Sequence, residues 1–264
     1  MRPRLPLVLL SALLACFISP SWSDYTLTGN GETTISFADG QYTITPPEGD
    51  PVTQADSPGD IYLTDITASG TYEDGYNRVL NLEGGTYTKL QLWNVAGTAS
   101  GVTIGGTNSF VINIGEGTSL LNTNAQLMGW SNQDRIVSAD ITLNVDRNAG
   151  TINGFSLVGD GNKKSTIVGN VALNLDGGTF NGSVALLGRG QVQLGDGTNA
   201  YTARLSITGG QYNANVYGLS DATSSGSAAN IAEHSSASVE ITGGTFAQSL
   251  FSQGVATTIT GAVF

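Results

Sequence analysis

The 264-residue sequence contains one cysteine, one histidine and only 12% charged residues. A single cysteine excludes a disulfide framework and a four-cysteine zinc site. Ten Lys and Arg residues stand against 21 Asp and Glu, and the net charge of −11 excludes a nucleic-acid binder, which needs a basic surface. Proline is missing after Pro58, so the rest of the chain can form strand ladders without losing hydrogen-bond donors.

Glycine is the abundant residue, with 36 copies, and 39% of the chain is hydrophobic. The glycines follow no Gly-X-Y period, which excludes collagen, and they disfavour long helices. The apolar content is sufficient for a core, which excludes a disordered chain. The composition therefore predicts a turn-rich, β-rich protein.

Residues 1–23 have the pattern of a secretory signal peptide. Arg2 and Arg4 precede an apolar run at 5–18, and small residues follow Pro20 up to a cleavage site between Ser23 and Asp24. The apolar run is too short to span a bilayer. The alternative is a lipoprotein signal, in which Cys16 of Leu-Leu-Ala-Cys would be lipidated. Both interpretations predict an exported protein, extracellular or on the surface of a bacterial cell.

An eight-residue motif repeats along the chain. It occurs as LNLEGGTY at 80–87, LNLDGGTF at 173–180, LSITGGQY at 205–212 and VEITGGTF at 239–246, with weaker copies at 112–118 and 143–154. Its second glycine recurs at 85, 117, 150, 178, 210 and 244, a period of about 32 residues. Such a period indicates a solenoid whose turns differ in loop length.

Each repeat begins with an alternating apolar–polar run, turns at the Gly-Gly pair and continues in a second and a third short run. Three short strands per turn predict an all-β, single-stranded, right-handed parallel β-helix. Equivalent residues should then stack in columns about 4.8 Å apart. We expect Tyr87, Ile152, Phe180, Tyr212 and Phe246 in an inner column, and Thr86, Thr118, Thr151, Thr179 and Thr245 on the outer corner.

We assign residues 24–75 to an amino-terminal cap or first coil with a proline-rich acidic loop, and 76–264 to the β-helix. Residues 259–264 look like the opening of a further repeat. Three explanations stay open: a fragment of a longer protein, self-association through this coil, or an outer-membrane sorting signal at the final Phe.

At its Gly-Gly-Thr-Phe and Gly-Gly-Gln-Tyr corners, over about residues 78–264, the sequence resembles the β-helical passenger regions of bacterial autotransporters and pectin-lyase-like surface proteins. The resemblance implies a secreted or surface rod, such as an adhesin, that contacts host surfaces or glycans. The membrane barrel of an autotransporter does not occur within these residues. Enzymes of the pectate-lyase type share the architecture, so a polysaccharide lyase or glycoside hydrolase is the alternative function.

The strongest chemical candidate is an acid column. Asp146 and Asp176 occupy one position in adjacent repeats, and Glu83 holds it two repeats earlier. Two stacked carboxylates would share a proton or bind a hard cation such as Ca²⁺. Alternatively, each acid accepts hydrogen bonds from its own corner.

No catalytic residue can be singled out. The candidate bases Lys89, Lys163, Lys164, Arg189 and Arg204 share no repeat position, and His234 lies in a loop without a nucleophile motif. Trp93, Trp130, Tyr201 and Tyr217 would stack on sugars if exposed, and Asn153, Asn181 and Asn213 would form a short amide ladder for hydroxyl groups. We therefore expect a non-enzymatic surface or adhesive module.

Overall fold

The computed structural model describes residues 24–73, 75–95, 101–121, 125–128, 134–158, 164–189, 191–221 and 229–264. These residues form a parallel β-helix of about six turns, which confirms the fold expected from the repeat. Each turn passes through four faces, not three, because the second predicted run is broken by a bend. In the fourth turn, for example, residues 181–183 separate Thr179–Phe180 from Val184–Arg189.

The long sheet carries the alternating run of each repeat. Its strands, from the carboxyl-terminal end of the stack, are Ala256–Ile259, Ser236–Ile241, Thr202–Ile207, Val171–Leu175, Asp140–Val145, Ser109–Ile114, Asn77–Glu83, Gly31–Ala38, Gln41–Thr45 and Val52–Gln54. The short sheet follows the Gly-Gly corner and contains Thr86–Tyr87, Ser119–Leu120, Thr151–Ile152, Thr179–Phe180, Gln211–Tyr212 and Thr245–Phe246.

The third face is built from two sheets along the stack. One contains Tyr25–Thr26, Asp60–Tyr62 and Lys89–Gln91; the other contains Ala125–Gln126, Phe155–Val158, Val184–Arg189, Val216–Tyr217 and Leu250–Phe251, with Ser220–Asp221 also paired to Val184–Arg189. The fourth sheet returns the chain to the long sheet through Gly70–Tyr72, Val102–Ile104, Arg135–Val137, Ser165–Ile167, Val192–Leu194 and Asn230–Ile231.

The expected inner aromatic column is present. Tyr87, Ile152, Phe180, Tyr212 and Phe246 are in register on the short sheet, and Leu120 fills the second turn. All are buried. The stack excludes water from the corner of every turn, so apolar burial along one column stabilises the solenoid.

The expected outer threonine column is wrong at Thr118. Ser119, not Thr118, pairs with Thr86. Thr118 is buried, and its hydroxyl donates to the Leu82 carbonyl at 2.8 Å while accepting the Gly84 amide at 2.9 Å. The weaker repeat at 112–118 lacks the adjacent glycine pair, so the chain needs one more residue to complete the corner. Gln211 occupies the column in the fifth turn.

The two glycines of the corner have different roles in the fourth turn. Gly178 has a φ of 85°, which a residue with a Cβ adopts at a cost. A Cβ on Gly177 would lie 2.0 Å from the carbonyl oxygen of Arg147 in the preceding coil. The first glycine therefore permits close stacking of coils, and the second permits the turn.

The two ends of the stack differ. At the amino-terminal end, Gly31–Ala38, Gln41–Thr45 and Val52–Gln54 pair antiparallel and cover the first coil. At the other end Phe264 extends the inner column and its ring lies 5.3 Å from that of Phe246, but it is 71% exposed. Phe251, Ile259 and Val263, in the same carboxyl-terminal segment, are also exposed large apolar side chains.

Candidate functional site

The acid column predicted from the repeat lies at the end of the long sheet. The amide of Asp146 donates to the Ile114 carbonyl, and that of Asp176 donates to the Val145 carbonyl, which places the two acids in adjacent turns at one level. Glu83 begins the same column one residue beyond Leu82. The register expected for the three acids is confirmed.

The carboxylates in this column have partners of two kinds. Asp146 Oδ1 accepts the amide of Asn148 at 2.7 Å, so this acid caps its own corner. Asp176 Oδ1 accepts the hydroxyl of Thr208 in the following turn, also at 2.7 Å. Both acids line a shallow surface pocket of about 250 Å³ with Asn144. Within the described residues, no three His, Cys, Asp or Glu side chains are grouped as a metal site would need, and the Ca²⁺ column stays a prediction.

A ladder of amides crosses the outer face of the long sheet next to the acid column. Asn113 donates through Nδ2 to Oδ1 of Asn81 at 2.7 Å, Asn144 donates likewise to Asn113 at 2.7 Å, and Asn174 to Asn144 at 2.8 Å. Asn113 and Asn144 each donate to one neighbour and accept from the other, so the chain of hydrogen bonds runs in one direction through four turns. The sequence reasoning missed this ladder, although the Asn of the LNL motif signals it.

The shorter amide ladder expected on the other side of the corner is partly formed. Asn213 Nδ2 donates to Asn181 Oδ1 at 2.8 Å. Asn153 instead donates to the carbonyl oxygen of Leu121 at 2.7 Å. Asn181 and Asn213 therefore form a hydrogen-bonded pair on the exposed side of the short sheet. Asn153 instead provides the hydrogen-bond donor for a backbone carbonyl.

The aromatic candidates are placed very differently. Trp93 is 2% exposed and packs in the core beneath the guanidinium of Arg135, so its ring offers no surface to a sugar. Trp130 lies outside the described residues. Tyr217 is buried and stacks on Phe251 at 5.0 Å. Tyr201 is half-buried and borders a surface depression, which makes it the candidate that retains access to a ligand.

Two buried arginines were not anticipated from the sequence. Arg78 is in register with the core residue Phe110, and its Nη1 donates to the carbonyl of Leu63 at 2.6 Å. Arg135 is 3% exposed and donates to the carbonyl of Met128. Burial lowers the pKa of Arg135 to about 10. A signal was present: each arginine stands at an inward position of its strand.

One charged cluster lies on the third face near the amino-terminal end. Lys89 Nζ contacts Asp60 Oδ2 at 2.9 Å, and the hydroxyl of Tyr62 donates to the same oxygen at 3.2 Å. Asp24 Oδ1 accepts the Asp60 amide at 3.2 Å. Burial and the charges of Asp60 and Asp24 raise the pKa of Tyr62. The lysine is therefore ion-paired with Asp60, and the raised pKa means that the phenol of Tyr62 keeps its proton.

The remaining candidate bases do not converge on this cluster. Arg204 forms an ion pair with Glu240 on the long sheet, and Lys164 is exposed. Lys163 lies outside the described residues, as does the side chain of Arg189. His234 has a φ of 69° in an exposed turn, with its Nε2 3.9 Å from Glu233, which agrees with the loop position expected for it.

Comparison of the chain with family models, with curated proteins and with solved structures gives no match. Within the described residues, the structure contains no helix of the length and hydrophobicity needed to cross a membrane. The fold and the surfaces above are therefore the basis for a functional proposal.

Proposed function

We propose that the chain is an exported, non-enzymatic β-helical module that acts as a structural or adhesive element at a bacterial cell surface. The observation that carries the proposal is the outer face of the long sheet. Its central column consists of uncharged polar residues in six successive strands: Thr34, Asn81, Asn113, Asn144, Asn174 and Ser206. Amides and hydroxyls at a regular spacing suit repeated weak contacts with a polymer rather than chemistry at one point.

The charge distribution supports a binding role over catalysis. Proton abstraction or glycosidic cleavage needs an acid and a base whose pKa values are set for transfer. In the cluster of Asp60, Tyr62 and Lys89, the lysine is paired with a carboxylate and the raised pKa of the phenol opposes its use as a base. The long sheet has its own ion pair, between Arg204 and Glu240.

The experiment is a combined binding and product assay with the purified full chain. Immobilised polysaccharides and whole bacterial or host cells would be tested for retention of the protein, and the supernatant for new reducing ends and unsaturated sugars. We expect retention without product. Asn113→Asp, which places a charge on the long sheet, should reduce retention, while Asn181→Asp on the short sheet serves as the matched control. Failure to bind any surface would contradict the adhesive role.

The alternative is a polysaccharide lyase or glycoside hydrolase, and the observation in its favour is the cluster of Asp24, Asp60 and Lys89. Product release in the same assay would support it. That activity should then disappear in Lys89→Met and Asp60→Asn while thermal stability stays within a few degrees of the wild type.

We also propose that the exposed carboxyl-terminal coil supports self-association. Phe251, Ile259, Val263 and Phe264 are large apolar side chains that are exposed in this coil, and residues 250–264 contain no Lys, Arg, Asp or Glu. Apolar strand edges without charge favour edge-to-edge pairing. Sedimentation should show concentration-dependent dimers that are lost in Val263→Lys. A wild-type chain that remains monomeric over the accessible concentration range would contradict this.

A further inference from the structure

The corners between the fourth sheet and the long sheet differ in length from turn to turn. The second turn uses four residues, 105–108, and the fifth uses seven, 195–201. Between them, the third turn uses only the two residues 138–139, and the fourth uses the three residues 168–170. Two short corners flanked by two long ones leave a notch in the edge of the solenoid.

This notch has a small, tightly packed floor. It is formed by Ser138, Ala139, Val168 and Gly169, and a Cβ on Gly169 would lie 1.9 Å from the carbonyl oxygen of Ala139. The absence of larger side chains keeps the notch open. Its volume is about 180 Å³, which matches one pyranose ring with its hydroxyl groups better than a larger organic ligand.

Tyr201 forms one wall of the notch and is held in place by the next turn. Its amide donates to Ser235 Oγ at 3.3 Å, and its carbonyl accepts the Ser236 amide at 2.9 Å. The side chain is half-buried against the core, and the residue lines the notch. A fixed aromatic ring with an exposed side provides an apolar platform with little conformational entropy to lose on binding.

Asp140 and Thr107 also line the notch. Oδ1 of Asp140 accepts the backbone amide of Asn170 at 2.7 Å and the Asn170 side chain at 3.1 Å. Asn170 in turn accepts the Thr202 amide at 3.0 Å. This network fixes the carboxylate across three turns, while Oδ2 has no hydrogen-bond donor among the described residues and Asp140 is exposed.

We infer that this notch binds one unit of a neutral saccharide, with a C–H face on the Tyr201 ring and two hydroxyl groups directed to Asp140. A carboxylate that accepts hydroxyl protons gives strong hydrogen bonds and discriminates against ligands without donors. The notch lining contains no lysine or arginine, and the chain carries a net charge of −11. Uronates and phosphates are therefore disfavoured. The assignment names a ligand for the proposed adhesive role and rests on that role.

The test is ligand-observed NMR saturation transfer with the full chain. The probes are methyl glycosides of neutral hexoses, their disaccharides, and methyl glucuronide and methyl galacturonide as acidic counterparts. We expect signal from neutral probes on one ring face, and weaker signal from the uronides. Tyr201→Ala and Asp140→Asn should each weaken binding by about tenfold or more, whereas Tyr201→Phe should retain it.

Matched controls separate loss of the site from loss of the fold. Tyr72 is another half-buried tyrosine that packs against the core, and Asp134 is another exposed acid that accepts a backbone amide from the following turn, that of Lys164. Tyr72→Ala and Asp134→Asn should therefore leave saccharide binding unchanged. Neutral probes that give no signal, or equal signal from wild type and Tyr201→Ala, would overturn the assignment. Uronides that bind as well as neutral sugars would overturn the ligand class.

Failure of the notch and failure of the proposed function give different results. If the full chain still adheres to surfaces but Tyr201→Ala adheres equally well, the notch is not the contact and the adhesive role stands. If the chain adheres to nothing and releases product, the proposed function itself falls.

Discussion

The ring of Tyr212 lies parallel to the ring of Phe180 in the preceding coil, with 4.8 Å between centroids and 3° between planes. Phe246 continues the stack at 4.7 Å and 8°. The separation equals the spacing of parallel strands, so the backbone ladder and the ring stack have the same period. Each coil in this region is therefore held to the next by two kinds of contact, the backbone hydrogen-bond ladder and the stacked rings.

Truncation of the ring at the centre of this stack should be costly. Tyr212→Ala removes a buried aromatic with a neighbour on both faces, and we expect a loss of about 3–5 kcal/mol in the free energy of unfolding. Phe251→Ala is the control, because Phe251 stacks on Tyr217 but is 42% exposed; its loss should stay below about 1.5 kcal/mol. Urea denaturation measures both. Equal losses would show that the inner column is not the dominant support.

Glycine at a corner permits either close stacking of coils or a positive φ, and substitutions can measure these two effects separately. Gly177→Ala places a methyl group 2.0 Å from the Arg147 carbonyl, so the coils must move apart, and we expect a loss of about 3 kcal/mol. Gly197 has a φ of 81° and no heavy atom within 4 Å of an added Cβ. Gly197→Ala should cost only about 1–2 kcal/mol, from backbone strain. Thermal and chemical denaturation should rank the two variants in this order; the reverse order would contradict the packing role of Gly177.

The direction of the long amide ladder predicts a pH-dependent variant. Asn144→Asp keeps the acceptor for Asn174 but loses the donor to Asn113, which should cost about 1–2 kcal/mol at pH 7. Protonation restores a donor, so the folded state raises the pKa of the new carboxyl. The loss is then present above that pKa and disappears as the pH falls below the unfolded value.

The control for this variant is Asn181→Asp. Asn181 accepts from Asn213 through Oδ1, and its Nδ2 donates to no residue in the described part of the chain. Its substitution should therefore change stability little at either pH. The measurement is the urea midpoint of wild type and both variants at pH 7 and pH 3. A deficit in Asn144→Asp that persists at pH 3 would contradict the explanation from the ladder, because the protonated carboxyl can again donate to Asn113.

Buried tyrosines predict a loss of stability in alkali. Burial raises the pKa of Tyr62, Tyr87 and Tyr212 above the ordinary value of 10.0. Their contribution is complete below pH 10 and declines as the pH rises above it, because the unfolded chain loses those protons first. Burial lowers the pKa of Arg78 and that of Arg135, the latter to about 10, and these two groups act in the opposite sense. The tyrosines with raised pKa values outnumber them.

Tyrosinate absorbance and far-UV circular dichroism should therefore change together on alkaline titration. Tyr212→Phe removes one of these groups and should make the free energy of unfolding less dependent on pH above 10. Ionisation of Tyr62, Tyr87 and Tyr212 near pH 10 while the fold persists would contradict the burial described for them.

The acid column gives a metal-dependent prediction. If Asp146 and Asp176 bind Ca²⁺ together, millimolar Ca²⁺ should raise Tm, and the rise should vanish in Asp146→Asn and in Asp176→Asn. Glu116→Gln, an exposed acid outside the column, is the control. An unchanged Tm in Ca²⁺ would end the metal interpretation and leave both carboxylates as hydrogen-bond acceptors for Asn148 and Thr208.

The repeat made the fold and much of its register predictable. Identical residues stack between coils, so LNLEGGTY and LNLDGGTF could be aligned from the sequence alone. Because side chains alternate along a strand, this alignment also predicted which residues form the inner column. The error at Thr118 arose where the weak repeat lacks a Gly-Gly pair, since counting from a glycine then misplaces the corner by one residue. The bend at 181–183 was missed because alternation alone does not reveal a change of strand direction.

The surfaces were less predictable than the core. Whether Trp93 is exposed depends on which neighbour covers it, and here the neighbour is Arg135, 42 residues along the chain. The notch beside Tyr201 depends on differences between corner lengths, which appear only when the turns are stacked. A repeat determines what neighbouring coils share, whereas binding sites arise where they differ.

Antiparallel pairing among the described strands is confined to residues 31–54. Successive strands of the long sheet from Asn77–Glu83 to Ser236–Ile241 pair in parallel at separations of about 30 residues, whereas Ala256 in the last strand pairs with Ser238, 18 positions away. Each added coil therefore closes a loop of nearly constant length, and its entropic cost does not grow with the number of coils already formed. We expect the hairpin, whose contacts are local, to form first and the coils to add to it one at a time. A chain of this kind can therefore fold coil by coil while it emerges amino terminus first, and the cost of each step does not depend on the length of the chain.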